Sequence, residues 1–439
     1  MRKGLAAMVA VLLVALLAAC GSVNRESAGN NASAPNSSGS AAASVEEPVE
    51  IVVVSQVGPD GTETRDPIWD RVEQNVPGVK IKIVWATDST TNKQNQLIAA
   101  HTPPDLIRGG DVYTTQYGDF LEPLDGYLEK APDGMNAYES TIMQNLKYKD
   151  KTVWLPLNYN IGLLYYNKKL FDQEGLAYPT NDWTWDQYYE ASKKLTKYES
   201  NHAATQWGSE TTFGWWGEWL TWVREAGGDF MKDGKVVMDT PEAITGLKGF
   251  LRKTRGEDKS APQPGESDLG GFAGGKVAMV YSGHTGNFAT YNKVEGLQWD
   301  VVALPKGPGG GRGAELAVDA FGLSTSSKHK DKAWEVLKFL TSEQGMVGDL
   351  SKNGTPVVLK SAMEKALSVP ADQRSNPAGL ENIVLAAKEG MILPADADFV
   401  HMAINIAQSE IDLMLEGKQS PEEAAKRITE QANSYIATR

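Results

Sequence analysis

The sequence predicts an α/β protein of two domains, and three observations carry that reading. Val49 to Ser55, VEIVVVS, is a β-branched run of the buried-strand kind, and Val79 to Trp85, VKIKIVW, alternates like a neighbouring strand. Between them Asp66-Pro67 opens a helical stretch with proline at the first helical position, so strand, helix and strand begin a parallel sheet. Beyond a polar N-terminal segment about 390 residues remain, more than one hydrophobic core usually serves.

The unit then repeats. TNKQNQLIAAHTPPDLIRGG reads as a helix stopped at Thr102 by Pro103-Pro104, followed by the short strand DLIRG. Thr184 with Gln187 three residues on predicts a capping box, and Ser420, Pro421 and Glu423 predict another. Thr240 or Asp239 caps a helix that has Pro241 in its first turn, and Asp233-Gly234 between DFM and KVVM predicts a tight hairpin. Long helices with strands between them, and no repeat of 20–50 residues, complete the α/β pattern.

The N-terminus, MRKGLAAMVAVLLVALLAAC, places Arg2 and Lys3 before an apolar run from Leu5 to Ala19 that ends at Cys20. Such a run is a secretory leader over residues 1–19, too short to span a bilayer. Leu17-Ala18-Ala19-Cys20 resembles the bacterial lipobox, which implies that the Cys20 thiol carries a lipid anchor. Residues 20–47, rich in Ser, Ala, Asn and Gly, hold too little apolar surface to order themselves and read as a disordered tether. With Cys20 the single cysteine, no disulfide and no thiolate metal site is possible within the chain. Lys and Arg number 43 against 56 Asp and Glu, a formal net charge of −13 that loss of Arg2 and Lys3 deepens to −15. That balance excludes nucleic acid and an anionic membrane surface as natural partners.

Catalytic signatures fail one after another. The histidines at 101, 202, 284, 329 and 401 are scattered and none sits in a zinc pattern, and no GxSxG elbow is present. Gly270 to Lys276 spells GxxxxGK, but Val277 stands where a Mg²⁺-binding Ser or Thr belongs. The glycines of 307–313 lack GxGxxG and read as a loop. Carboxylates are plentiful without any pair being singled out, so the reading contains no catalytic residue, no metal and no cofactor.

Four segments in order carry a family resemblance: DLIRGGDVYTTQYGDFLEPLDGYL, WLPLNYNIGLLYYNKKLFDQEGL, FAGGKVAMVYSGHTGNF and AFGLSTSSKHKDKAWEVLKFLTSEQG. Together they resemble the extracellular solute-binding proteins of carbohydrate ABC importers, the maltose-binding-protein-like family 1. The resemblance implies a type II periplasmic-binding-protein-like fold, two α/β lobes with hinge crossovers and a ligand cleft between them. Mapped onto this chain, residues 48–158 and 306–360 form the N-lobe and residues 159–305 and 361–439 the C-lobe, with crossings near Leu157 to Asn160, Leu304 to Lys306 and Thr355 to Lys360. It further implies a monomer held by its lipid on the extracytoplasmic face of the cell membrane, handing a sugar to permease subunits driven by a cytoplasmic ATPase. Two rivals remain open, an extracytoplasmic glycan hydrolase and a sensing module for a membrane sensor kinase.

A sugar asks for carboxylates and amides for its hydroxyls and for aromatic rings under its C–H faces. The resemblance maps the first-lobe polar contact onto Asp111, whose plainer role is a helix N-cap, with Tyr113 beside it. It maps ligand-facing positions onto Tyr159 and Asn160, where maltose-binding protein has a carboxylate in place of Asn160, which speaks against maltose itself. Tyr281 and His284 fall in the loop that commonly carries an aromatic stacker, and Asp319 on a strand entering the cleft, while Phe321 reads as core. In FGWWGEWLTW, Trp215, Trp219 and Trp222 fall on one helical stripe, while Trp216 lies about 100° away. Gly214 and Gly217 predict that the helix begins after them, and Trp219 and Trp222 read as packing. Measured back from Gly227-Gly228, a pair the family shares, the resemblance implies that one or both of Trp215 and Trp216 stack on ligand.

Overall fold

The computed structural model describes residues 47–438 apart from Pro59, residues 212–214, Asn353, Ser375, Asn376, Ala395 and Ala397, and apart from the side chains of Glu257 and Asp372. The expected leader, Cys20 and all but the last residue of the expected tether lie outside the described residues.

The strand-helix-strand start forms as the β-branched runs dictate. Strand β1 (Val49–Gln56) pairs in parallel with β2 (Val79–Ala86), from Val49 opposite Val79 to Gln56 opposite Ala86. Helix α1 (Pro67–Asn75) lies between them, with the Asp66 carboxylate accepting the Ile68 N–H at 2.9 Å, and it buries Ile68, Trp69 and Val72. Helix α2 (Thr90–Ala99) is capped by Ser89 and ends ahead of Thr102, and β3 (Leu106–Gly110) follows.

The thirteen-residue strand β4 (Leu155–Asn167) organises what comes next. All of it is buried except Asn160, which is why its sequence reads as one nearly unbroken apolar run. Helix α3 (Trp185–Lys194) starts at the Thr184/Gln187 capping box. Helix α4 (Trp216–Glu225) is buried at every position, and α5 (Pro241–Arg252) starts at Thr240 with Pro241 in its first turn. Between α4 and α5 two short strands, Met231–Lys232 and Lys235–Val236, make the hairpin around Asp233-Gly234.

Strands β5 (Met279–His284) and β6 (Trp299–Ala303) both pair antiparallel with the second half of β4, over Gly162 to Asn167. Strand β7 (Glu315–Leu323) pairs antiparallel with the first half, from Leu316 opposite Ile161 to Phe321 opposite Leu155. On its other edge β7 pairs with β3, and its first residues pair in parallel with β8 (Met391–Ile392). One strand thus belongs to two ladders, changing partners between Ile161 and Gly162. Residues 356–358 run along the free edge of its first half, where the Tyr159 N–H donates to the Pro356 carbonyl and the Val358 N–H to that of Leu157. Helix α6 (Lys330–Leu340) packs on β7, and α7 (Pro421–Ala437), with its Ser420/Glu423 capping box, closes against α5.

Trp219 and Trp222 are 0 % exposed, as the helical stripe requires. Beside them Glu218 and Lys253 form an ion pair with no solvent contact, and the ammonium also donates to the Glu210 carbonyl at 2.8 Å. Burial pulls the Lys253 pKa down while the Glu218 charge holds it up. Removing one partner strands a buried charge, whereas replacing both with apolar groups does not. Lys253→Ala is therefore expected to cost about 3–5 kcal/mol in denaturant unfolding, and adding Glu218→Leu to Lys253→Met to recover most of the loss; equal losses from single and double replacement would contradict the role given to the pair.

Candidate functional site

A polar patch interrupts the apolar run of β4. Alternate residues of a strand share a face, so Glu315, Ala317 and Asp319 of β7 line up together, with Asn160 of β4 opposite Ala317 and Asn158 opposite Asp319. Ala317, Asp319 and Asn160 are half-buried, while Leu316 and Val318 of the other face are buried. Ala317 is the smallest of these side chains and lies between Glu315 and Asp319 on that face.

Strand β3 brings Asp111 to one side. Gly110 lies opposite Asp319 with φ 151°, and a Cβ there would sit 1.6 Å from the Val318 carbonyl oxygen, so only glycine permits this approach. Asp111 Oδ1 accepts the Val318 N–H at 2.9 Å and the Val112 N–H at 3.0 Å. The plainer expectation, a helix N-cap, is not met: Asp111 is the first residue of a single 3₁₀ turn, Asp111–Tyr113, whose N-cap is Gly110 without a side-chain cap, and the Val318 bond ties the carboxylate to β7. Its Oδ2 is buried and has no hydrogen-bond partner among the described residues. Burial pushes the Asp111 pKa up to about 7; the two backbone N–H donors oppose the shift and the nearby Glu315 charge adds to it.

The opposite side is built by the ends of β5 and α4. His284 lies opposite Gly162 on β4, two residues from Asn160, and its Nε2 is 3.3 Å from Glu315 Oε2. Thr285 donates from its hydroxyl toward Asn160 Oδ1 (3.1 Å), and Asn158 Nδ2 donates to Asp319 Oδ2 (3.3 Å). Trp215, the extended residue before α4, stands edge-on to the His284 ring with centroids 5.1 Å apart. Gly217 explains that meeting: a Cβ there would fall 2.7 Å from the Trp215 ring and 2.8 Å from Glu315 Oε2. The glycine expected to delay the helix instead lies within its first turn, because α4 starts at Trp216 and needs the space for two neighbours.

Asp111, Asn160, Trp215, His284 and Asp319 therefore cluster on this patch, and Tyr113 lies beside Asp111, its ring 5.8 Å from that of Tyr117. Three other expected contacts are buried. Tyr159 sits between Asn158 and Asn160, so alternation turns it to the opposite face, where it lines a separate cavity of about 290 Å³ with Val357, Val358 and Met363. Tyr281 is 1 % exposed; its ring stacks on Trp222 at 4.3 Å and its hydroxyl donates to the buried Glu225 carboxylate at 2.7 Å. Trp216 is 6 % exposed and packs edge-on against Phe399 at 5.2 Å. Glu315 and Asn158 were not anticipated, although ELAVD and LNYN place them two residues from Ala317 and Asn160 on the same alternating face.

The raised Asp111 pKa makes stability depend on pH in a definite direction. In the unfolded chain the group ionises near its ordinary value of 3.8, and in the folded protein near 7. Its contribution favours the native state fully below the lower value and is lost as pH rises through the upper one. Relative to Asp111→Asn, the wild type is expected to lose unfolding free energy between about pH 4 and about pH 7 and to level off above; a difference independent of pH would show that Asp111 titrates normally.

Residues 57–347 match the family model described as bacterial extracellular solute-binding protein. A protein of Brucella abortus described as a binding protein is 24 % identical over 374 residues, covering 83 % of this chain and 87 % of its own. Among solved structures, a Listeria monocytogenes ABC substrate-binding protein in complex with cycloalternan superposes with a TM-score of 0.74 at 21 % identity, covering 89 % of this chain and 100 % of its own. A maltose-bound protein of T. maritima gives 0.70 at 22 % identity, covering 88 % of this chain and 99 % of its own. These likenesses agree with the α/β architecture, and the matching family is one of binding proteins, not of enzymes. With two thirds of its length matched by that model, the chain belongs to the bacterial extracellular solute-binding protein family.

Proposed function

We propose that the protein is the lipid-anchored extracytoplasmic receptor of a sugar importer, capturing a saccharide on the patch around Ala317 and passing it to the permease of an ABC transporter. The observation that carries this reading is the convergence of acceptor and amide side chains, Asp111, Asn158, Asn160, Glu315 and Asp319, beside the half-buried indole of Trp215. Hydroxyl-rich, weakly apolar rings want that mixture. Solved structures of the same fold hold cycloalternan, maltose and acarbose, which supports a saccharide as the solute class. The anchor rests on the Leu17 to Cys20 lipobox of the sequence.

In this reading residues 48–158 and 306–360 form one lobe and 159–305 and 361–439 the other, and β4 is the principal connection. The patch lies beside the point where β4 changes ladders, so a solute seated there touches residues of both lobes: Asp111 and Asp319 on one side, His284 and Trp215 on the other. Contacts made only when both sides meet the solute favour the closed form, and the closed form is what a permease can select. No bond in the solute is made or broken.

Thermal unfolding against a panel of mono- and oligosaccharides tests this. A saccharide at about a hundred times its dissociation constant is expected to add about 2.7 kcal/mol, and a panel without any shift would remove sugars as the solute class. Trp215→Ala should weaken the responding sugar by roughly tenfold. Trp216→Ala should instead cost roughly 3–5 kcal/mol of stability, read by denaturant unfolding without ligand; a Trp216 variant as stable as wild type would return that residue to the ligand side.

A further inference from the structure

We infer that the solute carries a protonated amine, so that the ligand class is an amino sugar or amino-sugar oligosaccharide in place of a neutral one. The inference rests on the saccharide reading above and deepens it.

Charge on the patch does not balance. Asp111, Glu315 and Asp319 bring three carboxylates together, and among the described residues none of them pairs with a Lys or Arg. Among the described residues the one basic group in contact is His284, on Glu315, and an imidazole carries at most one positive charge. Asp111 accepts two N–H bonds on Oδ1, which leaves Oδ2 buried without a partner, and the Glu315 charge is close enough to disfavour ionisation of Asp111. At neutral pH Asp111, with its pKa raised to about 7, is ionised only part of the time. Its ionised form leaves Oδ2 a buried acceptor without a donor beside the Glu315 charge, which is costly unless something else completes it.

A hydroxyl supplies a donor to Oδ2 but leaves the repulsion in place. An ammonium supplies three donors and the missing charge, and its hydrogen bonds to carboxylate are about twice as strong as neutral ones. It also draws Asp111 toward its ionised form, since an opposite charge favours that state. Trp215 adds the ring type that attracts cations best, and its indole packs against Gly217 beside the Glu315 carboxylate. The net charge of −13 draws cations toward the protein from farther away.

Calorimetric titration at neutral pH with matched saccharides tests the inference: mono- to trisaccharides of glucose, galactose and mannose types, each as free amine, as N-acetyl derivative and as the parent hydroxyl compound. The expected result is at least one series in which the amine binds about tenfold or more tighter than both counterparts. Asp111→Asn and Glu315→Gln should each bring that ratio of dissociation constants toward one. Parent sugars that bind as well as or better than the amines would overturn the inference while leaving the sugar receptor standing. An amine preference that survives both substitutions would overturn the assignment to these carboxylates, and silence across every series would take the receptor reading down with it.

Discussion

The constraint on which the rest depends is that a single strand, β4, serves two ladders. Its first half pairs with β7 and its second with β5 and β6, and a strand buried on both faces can accept such neighbours only if nearly every residue is apolar. Asn158, Asn160 and the terminal Asn167 are the exceptions, and the first two lie beside the point where the partners change. A polar residue in such a strand must find hydrogen bonds or water. Asn158 finds Asp319 and Asn160 finds Thr285, which draws β7 and β5 into one polar patch at the junction.

Glycine then decides how closely the other parts approach. Without a Cβ at 110, β3 can lie against β7 and present Asp111; without one at 217, the start of α4 leaves space for an indole and a carboxylate. Neither glycine is among the proposed solute contacts. Each sets the reach of side chains that are, and so the chemistry of the patch is fixed by backbone spacing as much as by its polar groups.

Burial sorts the aromatic residues in the same way. Tyr159, Tyr281 and Trp216 share segments with polar patch residues, yet each is buried, and for Tyr159 and Trp216 one step of strand or helix geometry accounts for it. In β4 that step is the alternation of faces; in α4 it is the difference between the extended residue before the helix and the first residue within it. Tyr281 illustrates the energetic side: its hydroxyl donates to Oε2 of Glu225, a carboxyl whose pKa burial pushes well above the ordinary range, so the phenol is satisfied inside the core while Glu225 Oε1 has no hydrogen-bond partner among the described residues.

The local elements were legible because their signals are local. Pro67 after Asp66, the Thr184/Gln187 and Ser420/Glu423 boxes, the β-branched run of β1 and the apolar length of β4 each determine a strand or a helix start within a few residues. The sequence by itself also determined the family, through motifs whose order survives without any knowledge of contacts. Only the tertiary structure decided which members of those motifs share a face. Glu315 meets His284 across 31 residues and Asp111 meets Val318 across 207, and no periodicity records such separations. The register of β7 on β4, set by packing on both faces, brings Glu315, Ala317 and Asp319 beside Asn160 and turns Tyr159 away.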